Sequence, residues 1–231
     1  MDAAESEYRA RGNAADFYSE KAAIRMQPFS GIYPAVKRAV DVVGAAFGLI
    51  FFMPVMLAAS VLIRFTSHGP AIYKQIRIGR GGRRFCIYKF RTMVDGADDL
   101  TAHLSHDQWV LYQKNRKLDE DPRITPVGEK LRASSLDELP QLLNVLKGDM
   151  SLVGPRPMLP EEIGLYGERY AQYIQMRPGI TGLWQISHRH ETQMDIRASI
   201  DAQYFERRGL RYDFWLLLAT GKAVVWKRDA C

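Results

Sequence analysis

Two adjacent carboxylates, Asp137 and Glu138, are the side chains in this sequence best suited to chemistry. Arg132 precedes them by five residues, and Arg156 follows between two prolines that stiffen its backbone. Guanidinium groups bind phosphate oxygens in a planar fork. Of two neighbouring carboxylates, one can attack phosphorus while the other binds a hard divalent cation. The arrangement therefore predicts metal-assisted chemistry on a phosphate, with Mg²⁺ as the fitting ion.

A structural role for the same carboxylates is the competing interpretation. Ser135 and Glu138 have the spacing of a capping box, and Asp137 would then complement the dipole of a helix over residues 136–147. Leucines at helical spacing predict that helix, and Gly148 suits its C-terminal cap. The segment alone leaves both roles open, whereas the nearby arginines favour phosphate chemistry.

Other residues are weaker candidates for chemistry. Lys89 and Arg91 alternate with aromatic residues on a predicted strand, so their charges share one face, which is either phosphate-facing or solvated. Arg177 begins an Arg-Pro-Gly loop that either presents backbone amides to an anion or is a structural turn. His188 and His190 are two residues apart, a poor spacing for a metal site on a helix, so we assign them no metal.

Composition indicates a folded chain with an anionic partner. Of the 231 residues, 47% are hydrophobic and 25% are charged, which is not the balance of a disordered protein, and the net charge is +6. The two cysteines, Cys86 and Cys231, do not make a disulfide framework, so the soluble part is expected in a reducing compartment. Because the basic residues cluster beside an apolar segment, we expect anionic lipid rather than nucleic acid as the polyanion.

That apolar segment is the first element that must position the site. Val42 to Ile63 is 22 residues without a charge, and as a helix it would be ~33 Å long, enough to cross a bilayer core. Pro54 interrupts it, and both of its flanks are basic, which draws both flanks to the cytoplasm. We expect a re-entrant helix over residues 34–66, bent at Pro54. A kinked spanning helix and a buried core helix are the alternatives.

The remaining pattern predicts an α/β, mostly helical domain associated with a membrane. A β-hairpin is expected over residues 71–78 and 84–93 around a glycine-rich turn. Helices are expected at 95–117, 161–175, 191–208 and 212–227. The last of these places aromatic residues beside lysines, which fits an amphipathic interfacial helix or an ordinary core helix equally.

Three parts are therefore predicted along the chain. An N-terminal extension covers residues 1–33, the re-entrant membrane helix covers 34–66, and a cytoplasmic domain covers 67–231. The extension contains no apolar core segment, so we do not expect a cleavable signal peptide.

Six stretches of the sequence carry a family resemblance. They are Tyr88–Met93, Asp121–Thr125, Ser135–Leu142, Asn144–Ser151, Val153–Pro157 and Arg177–Gln185. With these motifs in this order, the chain resembles the bacterial sugar transferases, also called monotopic polyprenyl-phosphate phosphoglycosyl transferases. The resemblance runs from about residue 35 to the end and fits the small, minimal type of the family.

The resemblance implies a two-step reaction and a membrane-bound α/β domain. Asp137 would attack the β-phosphate of a UDP-sugar and release UMP, and undecaprenyl phosphate would then attack the phosphosugar-aspartyl enzyme. Glu138, together with Asp137, is the expected Mg²⁺ site. Phosphate binding is our inference for the basic residues Arg132, Arg156, Lys89, Arg91 and Arg177.

The resemblance also implies a setting and a set of partners. The domain would lie on the cytoplasmic face of the bacterial inner membrane and start an exopolysaccharide, capsule or lipopolysaccharide O-antigen. Galactose or glucose is the favoured sugar, and a homodimer and downstream glycosyltransferases are further candidate partners. Many members have Ser-Gly-Arg-Asn where this chain has Ser187 to His190, which leaves the sugar open. A UDP-releasing glycosyltransferase and a non-enzymatic membrane scaffold are the alternative functions.

Overall fold

The computed structural model describes residues 31–115, 118, 120–187 and 193–226, and it is mostly helical. The helices are α1 (Tyr33–Thr66), α2 (Leu100–His103), α3 (His106–Asn115), α4 (Pro126–Ala133), α5 (Gln141–Lys147), α6 (Ile163–Tyr166), α7 (Tyr170–Tyr173), α8 (Leu183–Ser187), α9 (Met194–Arg207) and α10 (Leu210–Trp226). The strands are β1 (Ile72–Ile78), β2 (Arg84–Phe90), β3 (Ser151–Val153) and β4 (Gly179–Thr181). The mostly helical class with a small hairpin is thereby confirmed.

Helix α1 contains the apolar segment and extends beyond it at both ends. It is 34 residues long, with Pro54 inside, so a straight helix of this length would rise ~51 Å. Because Pro54 has no backbone N–H, it cannot donate to the carbonyl of Ile50. Within the most apolar 18-residue window only 11% of the residues are buried, which argues against a core helix. By length and composition α1 could cross a membrane, and the bend at Pro54 stays a prediction.

Arg38 fixes the beginning of α1 to the end of α5. Its two terminal guanidinium nitrogens donate to the carbonyls of Val145 and Leu146, at 2.7 and 2.9 Å. These carbonyls lie in the last turn of α5, where a helix leaves acceptors unsatisfied and carries partial negative charge. A cation on one helix therefore caps the other.

The predicted hairpin is confirmed. Strands β1 and β2 form a two-stranded sheet joined by a tight turn at Arg80–Gly82, and the N–H of Gly79 donates to the carbonyl of Arg83 at 2.8 Å. Gly81 and Gly82 both have φ near +70°, a conformation that other residues rarely adopt. The glycine-rich run is thus the turn itself.

A second, parallel pair of strands was not predicted. Ser151 of β3 lies opposite Gly179 of β4, within the segment that the sequence predicts as a loop. Each strand has only three residues, too few for an alternating pattern to show. Gly154 makes the close approach possible, since a Cβ on it would lie 2.3 Å from the carbonyl oxygen of Arg177.

The predictions of single long helices over 95–117 and 161–175 are wrong in detail. Leu104 is extended and ends α2, after which the Ser105 hydroxyl accepts the N–H of Gln108 and begins α3. In the second segment Gly167 has a positive φ of 51°, which separates α6 from α7. The last two helices, α9 and α10, match their predictions closely.

The chain forms two compact units, each with its own core. One unit combines the chain up to Phe47 with Gln75–Ile87 and the chain from Leu142 onward. A core cluster of this first unit contains Ile78, Met158, Ile163, Tyr166, Tyr170, Tyr173, Ile174 and Ala198. The second unit combines Gly48–Lys74 with Tyr88–Gln141. Its core cluster contains Ala59, Ile63, Phe90 and Leu131.

Candidate functional site

The two carboxylates lie on a short 3₁₀ turn, and not in the predicted α-helix. The turn spans Leu136–Glu138, and helix α5 begins only at Gln141. Pro140 explains the break: it cannot donate to the carbonyl of Leu136, which instead accepts the N–H of Leu139 at 3.2 Å. The prediction of a continuous helix over 136–147 is therefore wrong at its N-terminal end.

The capping box of the competing interpretation is not formed either. The Ser135 side chain makes no capping hydrogen bond to the turn. Its backbone has φ 57° and ψ 16°, and among the described residues it is the only non-glycine with a positive φ. Such a conformation costs about 1 kcal/mol or more for a residue with a Cβ. The strained residue therefore directly precedes the turn that carries the two carboxylates.

Leucines on either side of the turn hold it in place. Leu136 and Leu139 pack against the core cluster of the second unit, which includes Phe90 and Leu131. Asp137 and Glu138 themselves are half-buried. The apolar anchors fix the turn while the carboxylates stay accessible.

Lys89 is brought to the carboxylates. Its ammonium group donates to Glu138 at 2.9 Å, with side-chain exposures of 20% and 23%. Arg91, two residues later, is buried and donates to the carbonyl and the hydroxyl of Ser67 at 3.0 and 2.8 Å. Of these two basic residues, only Lys89 contacts the carboxylate pair among the described residues. Arg91 instead binds Ser67, which directly follows α1.

Arg132 is half-buried, and Thr92 fixes its direction. The Arg132 Nε donates to the Thr92 hydroxyl at 2.8 Å. Burial lowers the pKa of Arg132, and the charge of Asp137 partly offsets that effect. The backbone carbonyl of Thr92 in turn accepts the N–H of Thr125 at 3.0 Å. Thr92 lies in one of the motifs, but no local pattern in the sequence predicts that its hydroxyl orients Arg132.

A buried ion pair supports this region. Arg123 bonds Asp121 at 2.7 Å, with side-chain exposures of 4% and 6%, and its guanidinium lies 4.8 Å from the ring centre of Tyr112. The hydrogen bonds from Arg123 lower the pKa of Asp121. The available signal was the aspartate itself, because an aspartate side chain in a turn commonly accepts the backbone N–H two residues on, as Asp121 does from Arg123 at 3.1 Å.

Arg156 belongs to the first unit and makes a cation–π contact with Trp184. Its guanidinium lies 5.3 Å from the ring centre of Trp184, and that of Arg197 lies 5.6 Å from the same ring. Arg197 also donates to the backbone carbonyl of Arg156 at 3.2 Å and pairs with Glu162 at 3.4 Å. The Trp184 indole N–H is buried with no acceptor among the described residues, which leaves a donor for a bound oxygen.

A buried carboxylate, Asp201, lies near Arg197. The Tyr166 hydroxyl donates to Asp201 at 2.8 Å, and Asp201 is 3% exposed. Burial raises the pKa of Asp201 to about 6, while Arg197 and the Tyr166 hydrogen bond act in the opposite direction. Sequence reasoning missed this network because its members are far apart in the chain.

Arg177 also belongs to the first unit. Its Nε donates to the carbonyl of Gly148 at 2.9 Å. Burial, followed by the charges of Arg80 and Arg38, lowers its pKa. The structure therefore places two predicted phosphate-binding residues, Arg156 and Arg177, in the first unit, while Lys89, Arg132 and the carboxylates belong to the second.

The carboxylate pair has the right donors for Mg²⁺. Among the described residues no three His, Cys, Asp or Glu side chains form a group that could hold a metal ion by themselves. Mg²⁺, however, is commonly bound through one or two carboxylates, substrate phosphates and water. Asp137 and Glu138 are hard oxygen donors adjacent in sequence, so they fit this mode.

Some sequence predictions fall outside the described residues. They concern residues 1–30 of the extension, His188 to His190 in the departing motif, and Cys231.

Comparison with known proteins agrees with the motifs. The family profile described as "Bacterial sugar transferase" matches residues 32–227. The exopolysaccharide production protein ExoY of Rhizobium meliloti (strain 1021) is 38% identical over 223 residues, which cover 95% of this chain and 97% of that protein.

Two longer relatives have names that describe a reaction. The undecaprenyl-phosphate galactose phosphotransferase of Salmonella typhimurium is 42% identical over 197 residues, which cover 84% of this chain and 41% of that protein. The UDP-N-acetylgalactosamine-undecaprenyl-phosphate N-acetylgalactosaminephosphotransferase of Aeromonas hydrophila is 36% identical over 206 residues, which cover 85% of this chain and 45% of that protein. The profile spans most of this chain and the predicted motifs lie within it, so the chain belongs to the bacterial sugar transferase family.

Proposed function

We propose that this protein transfers a sugar 1-phosphate from a UDP-sugar to undecaprenyl phosphate and releases UMP. The observation that carries the proposal is the pair Asp137 and Glu138 on a leucine-anchored turn, with the Lys89 ammonium 2.9 Å from Glu138. The names of the Salmonella and Aeromonas relatives support a sugar phosphate as the transferred group and undecaprenyl phosphate as the acceptor.

In the first step, a carboxylate oxygen of Asp137 attacks the β-phosphorus of the UDP-sugar. The bond from that phosphorus to the bridging oxygen breaks, and UMP leaves with the electron pair. The half-buried Arg132 and Lys89 are the nearby cations of the second unit that can offset the charge developing on the phosphate oxygens. A Mg²⁺ held by Glu138 and Asp137 would supply further charge neutralisation at the diphosphate.

In the second step, a phosphate oxygen of undecaprenyl phosphate attacks the same phosphorus. The bond to Asp137 breaks, the carboxylate is restored, and the product is a diphosphate-linked lipid sugar. Two displacements at one phosphorus let a single carboxylate serve two bulky substrates in turn. Within the first unit, Arg156 stays a proposed phosphate-binding residue, since its guanidinium is oriented over Trp184.

Helix α1 is the proposed membrane element. Its apolar side chains are exposed, with Phe47 68%, Ile50 69% and Phe51 63% accessible, a pattern that costs free energy in water and suits lipid. We propose that α1 is re-entrant at Pro54 and that the domain lies on the cytoplasmic face of the bacterial inner membrane. Basic residues on both flanks of α1 support this orientation.

The proposed product starts a surface glycan, and the 38% identity to ExoY supports an exopolysaccharide. Galactose or glucose stays the expected sugar, and the galactose phosphotransferase among the relatives supports galactose.

Nucleotide release by the purified protein tests the reaction. The protein in detergent is given Mg²⁺, undecaprenyl phosphate and a panel of UDP-sugars, and released UMP and UDP are separated and measured. UMP release with one sugar is expected, and Asp137→Asn should lower it about a thousandfold or more because the nucleophile is gone. Asp98→Asn is the matched control, since it neutralises an exposed carboxylate of the same unit.

The covalent step has its own readout. Protein incubated with a UDP-sugar that carries a radioactive β-phosphate, without acceptor, should become labelled, and Asp137→Asn should not. UDP as the released nucleotide would assign simple glycosyl transfer instead. Folded protein that releases neither nucleotide with any donor would favour the scaffold.

A further inference from the structure

A cleft in the first unit carries an excess of positive charge. It encloses about 60 Å³, and its lining includes the first turn of α1 and parts of β3 and α9. The charged side chains that line it are Lys37, Asp41, Arg80, Arg177 and Arg208. Four of these five are basic, so the charge of the cleft suits an anion. An acidic side chain would repel that anion least if it is already hydrogen-bonded within the protein.

The acidic groups of the cleft are indeed engaged by the protein. Asp41 is 2% exposed and accepts the Ser151 hydroxyl and the N–H of Leu152, both at 2.9 Å. Asp213, close by, accepts Lys37 at 2.7 Å and the Tyr204 hydroxyl at 2.8 Å. Lys37 is therefore matched by a buried aspartate, and Asp41 offsets one further charge, so the four basic side chains exceed the two acids by two positive charges.

Arg177 and Arg208 are partly desolvated, and the charge of Arg80 repels that of Arg177. Burial, and after it the charge of Arg80, lowers the pKa of Arg177, while burial lowers that of Arg208 to about 10. Cations held together in a half-buried cleft cost free energy that a bound anion offsets. Phosphate is the matching anion, because arginines bind its oxygens with charge-assisted hydrogen bonds.

The position of the cleft on α1 indicates the source of that phosphate. Tyr33 and Lys37, in the first turns of the helix, line the cleft. Beyond Asp41 the helix exposes Val43 and Phe47, at 69% and 68%. If α1 enters the membrane as proposed, the polar first turns lie at the level of the lipid headgroups, where anionic lipid is abundant.

We propose that this cleft binds a phosphate group, and that an anionic phospholipid headgroup supplies it. The choice of lipid rests on the proposed membrane placement of α1, whereas the phosphate site itself rests on the cleft alone. Arg177 then binds a structural lipid phosphate, and not the phosphate of the donor sugar. The bound lipid would fasten the start of α1 to the headgroup layer.

Native mass spectrometry of the full-length protein in detergent tests the proposal. The probes are phosphatidylglycerol, phosphatidylcholine and inorganic phosphate, and the bound fraction is measured for each. We expect phosphatidylglycerol to bind best, and Arg80→Gln to weaken its binding about tenfold, the loss typical of one charge-assisted contact. Arg84→Gln is the matched control, because Arg84 is an exposed arginine of the same hairpin that does not line the cleft.

Each other outcome is decisive. Equal binding by wild type, Arg80→Gln and Arg84→Gln would overturn the site, and an equal loss in both variants would show only non-specific charge attraction, which also overturns it. Binding of inorganic phosphate alone, with the same dependence on Arg80, would keep the phosphate site but reject the lipid. The measurement is repeated on Asp137→Asn protein. Lipid binding that persists in this variant does not depend on the proposed reaction, so the two proposals are tested separately.

Discussion

Thr92 and Lys89 show how single residues can set the direction of the charges around the turn Leu136–Glu138. Arg132 is half-buried and its Nε is bonded to the Thr92 hydroxyl at 2.8 Å, so its guanidinium has one fixed orientation. Lys89 is an ammonium on a flexible stem and contacts Glu138 directly. The Arg132 guanidinium is thus oriented by Thr92, whereas the Lys89 ammonium is held directly by Glu138.

Removing the hydroxyl of Thr92 should reduce turnover without changing the charges of the site. We expect Thr92→Val to lower kcat about tenfold, because Arg132 loses the acceptor that orients it and a half-buried donor is left unpaired. UMP release measures the effect, and the KM for the UDP-sugar should change less than kcat. Thr92→Ser keeps the hydroxyl and should keep most of the activity. Equal losses in both variants would contradict the positioning role.

Lys89 should influence the need for Mg²⁺. Its ammonium lies 2.9 Å from Glu138 and competes there with a second cation. Lys89→Met should therefore lower the Mg²⁺ concentration for half-maximal activity a few-fold, while the KM for the UDP-sugar rises because a cation proposed to bind its phosphates is lost. Lys89→Arg restores the charge and should restore both values. A Mg²⁺ dependence unchanged in Lys89→Met would rule out the competition.

At the scale of the element, the 3₁₀ turn and its neighbours decide where the carboxylates lie. The turn is fixed by Pro140 after it and by the left-handed Ser135 before it. Leu136 and Leu139 supply the apolar contacts. The carboxylates are therefore placed by backbone conformation and packing, and no helix is needed to present them.

Substitutions at Ser135 should reveal the strain before the turn. A β-branched residue at φ 57° is strongly disfavoured, so Ser135→Val should lower the free energy of unfolding by about 2 kcal/mol or more. Ser135→Gly should change it by less than about 1 kcal/mol, because relief of strain offsets a more flexible unfolded chain. Thermal unfolding in detergent measures both. Ser134→Val, at an exposed right-handed position, is the control and should have a small effect.

Local sequence signals predicted some elements well and missed others for identifiable reasons. The hairpin has a glycine turn and α10 has a long apolar run, so both were predictable. The strand pair of Ser151 and Gly179 depends on contacts across 28 residues, and no local periodicity reports it. Asp137 and Glu138 were predicted as site residues from residue type and spacing, whereas the contacts of Thr92 and of the Trp184 network required the tertiary structure.

For the whole molecule, one buried acid should contribute a measurable pH dependence of stability. The pKa of Asp201 is about 6 in the folded state, above its unfolded value of about 3.9. Its contribution to stability is therefore fully present below about pH 4 and is lost as the pH rises through 6. The loss is on the order of 3 kcal/mol by this linkage, because the ionised carboxylate is desolvated.

The difference between wild type and Asp201→Asn isolates this effect. Asparagine does not ionise but can still accept the Tyr166 hydroxyl, so the variant should gain stability relative to wild type between pH 4 and pH 6.5. Unfolding in detergent across that range measures the gain. A difference that does not change with pH would show that Asp201 does not titrate there.

The orientation of the whole protein in the membrane can be measured at the two ends of α1. In a protein whose native cysteines are replaced by serine, Ala35→Cys and His68→Cys should both react with a membrane-impermeant thiol reagent only from the cytoplasmic side. Both positions are exposed. The reason is that a helix bent at Pro54 returns to the face it entered. Labelling of either cysteine from outside would contradict this topology, and labelling of only one of them from outside would indicate a spanning helix.

The contacts that hold the start of α1 have a consequence for synthesis on the ribosome. Arg38 finds its carbonyl partner on α5 only 108 residues later, and Tyr33 finds Asp213 only 180 residues later. At ordinary elongation rates α1 waits on the order of ten seconds after it leaves the ribosome before these partners exist. During that interval the first turns of α1 lack these partners, and the apolar surface of the helix is available to the insertion machinery. Because α1 precedes these partners in the sequence, it can insert into the membrane before the residues that contact its first turns have been synthesised.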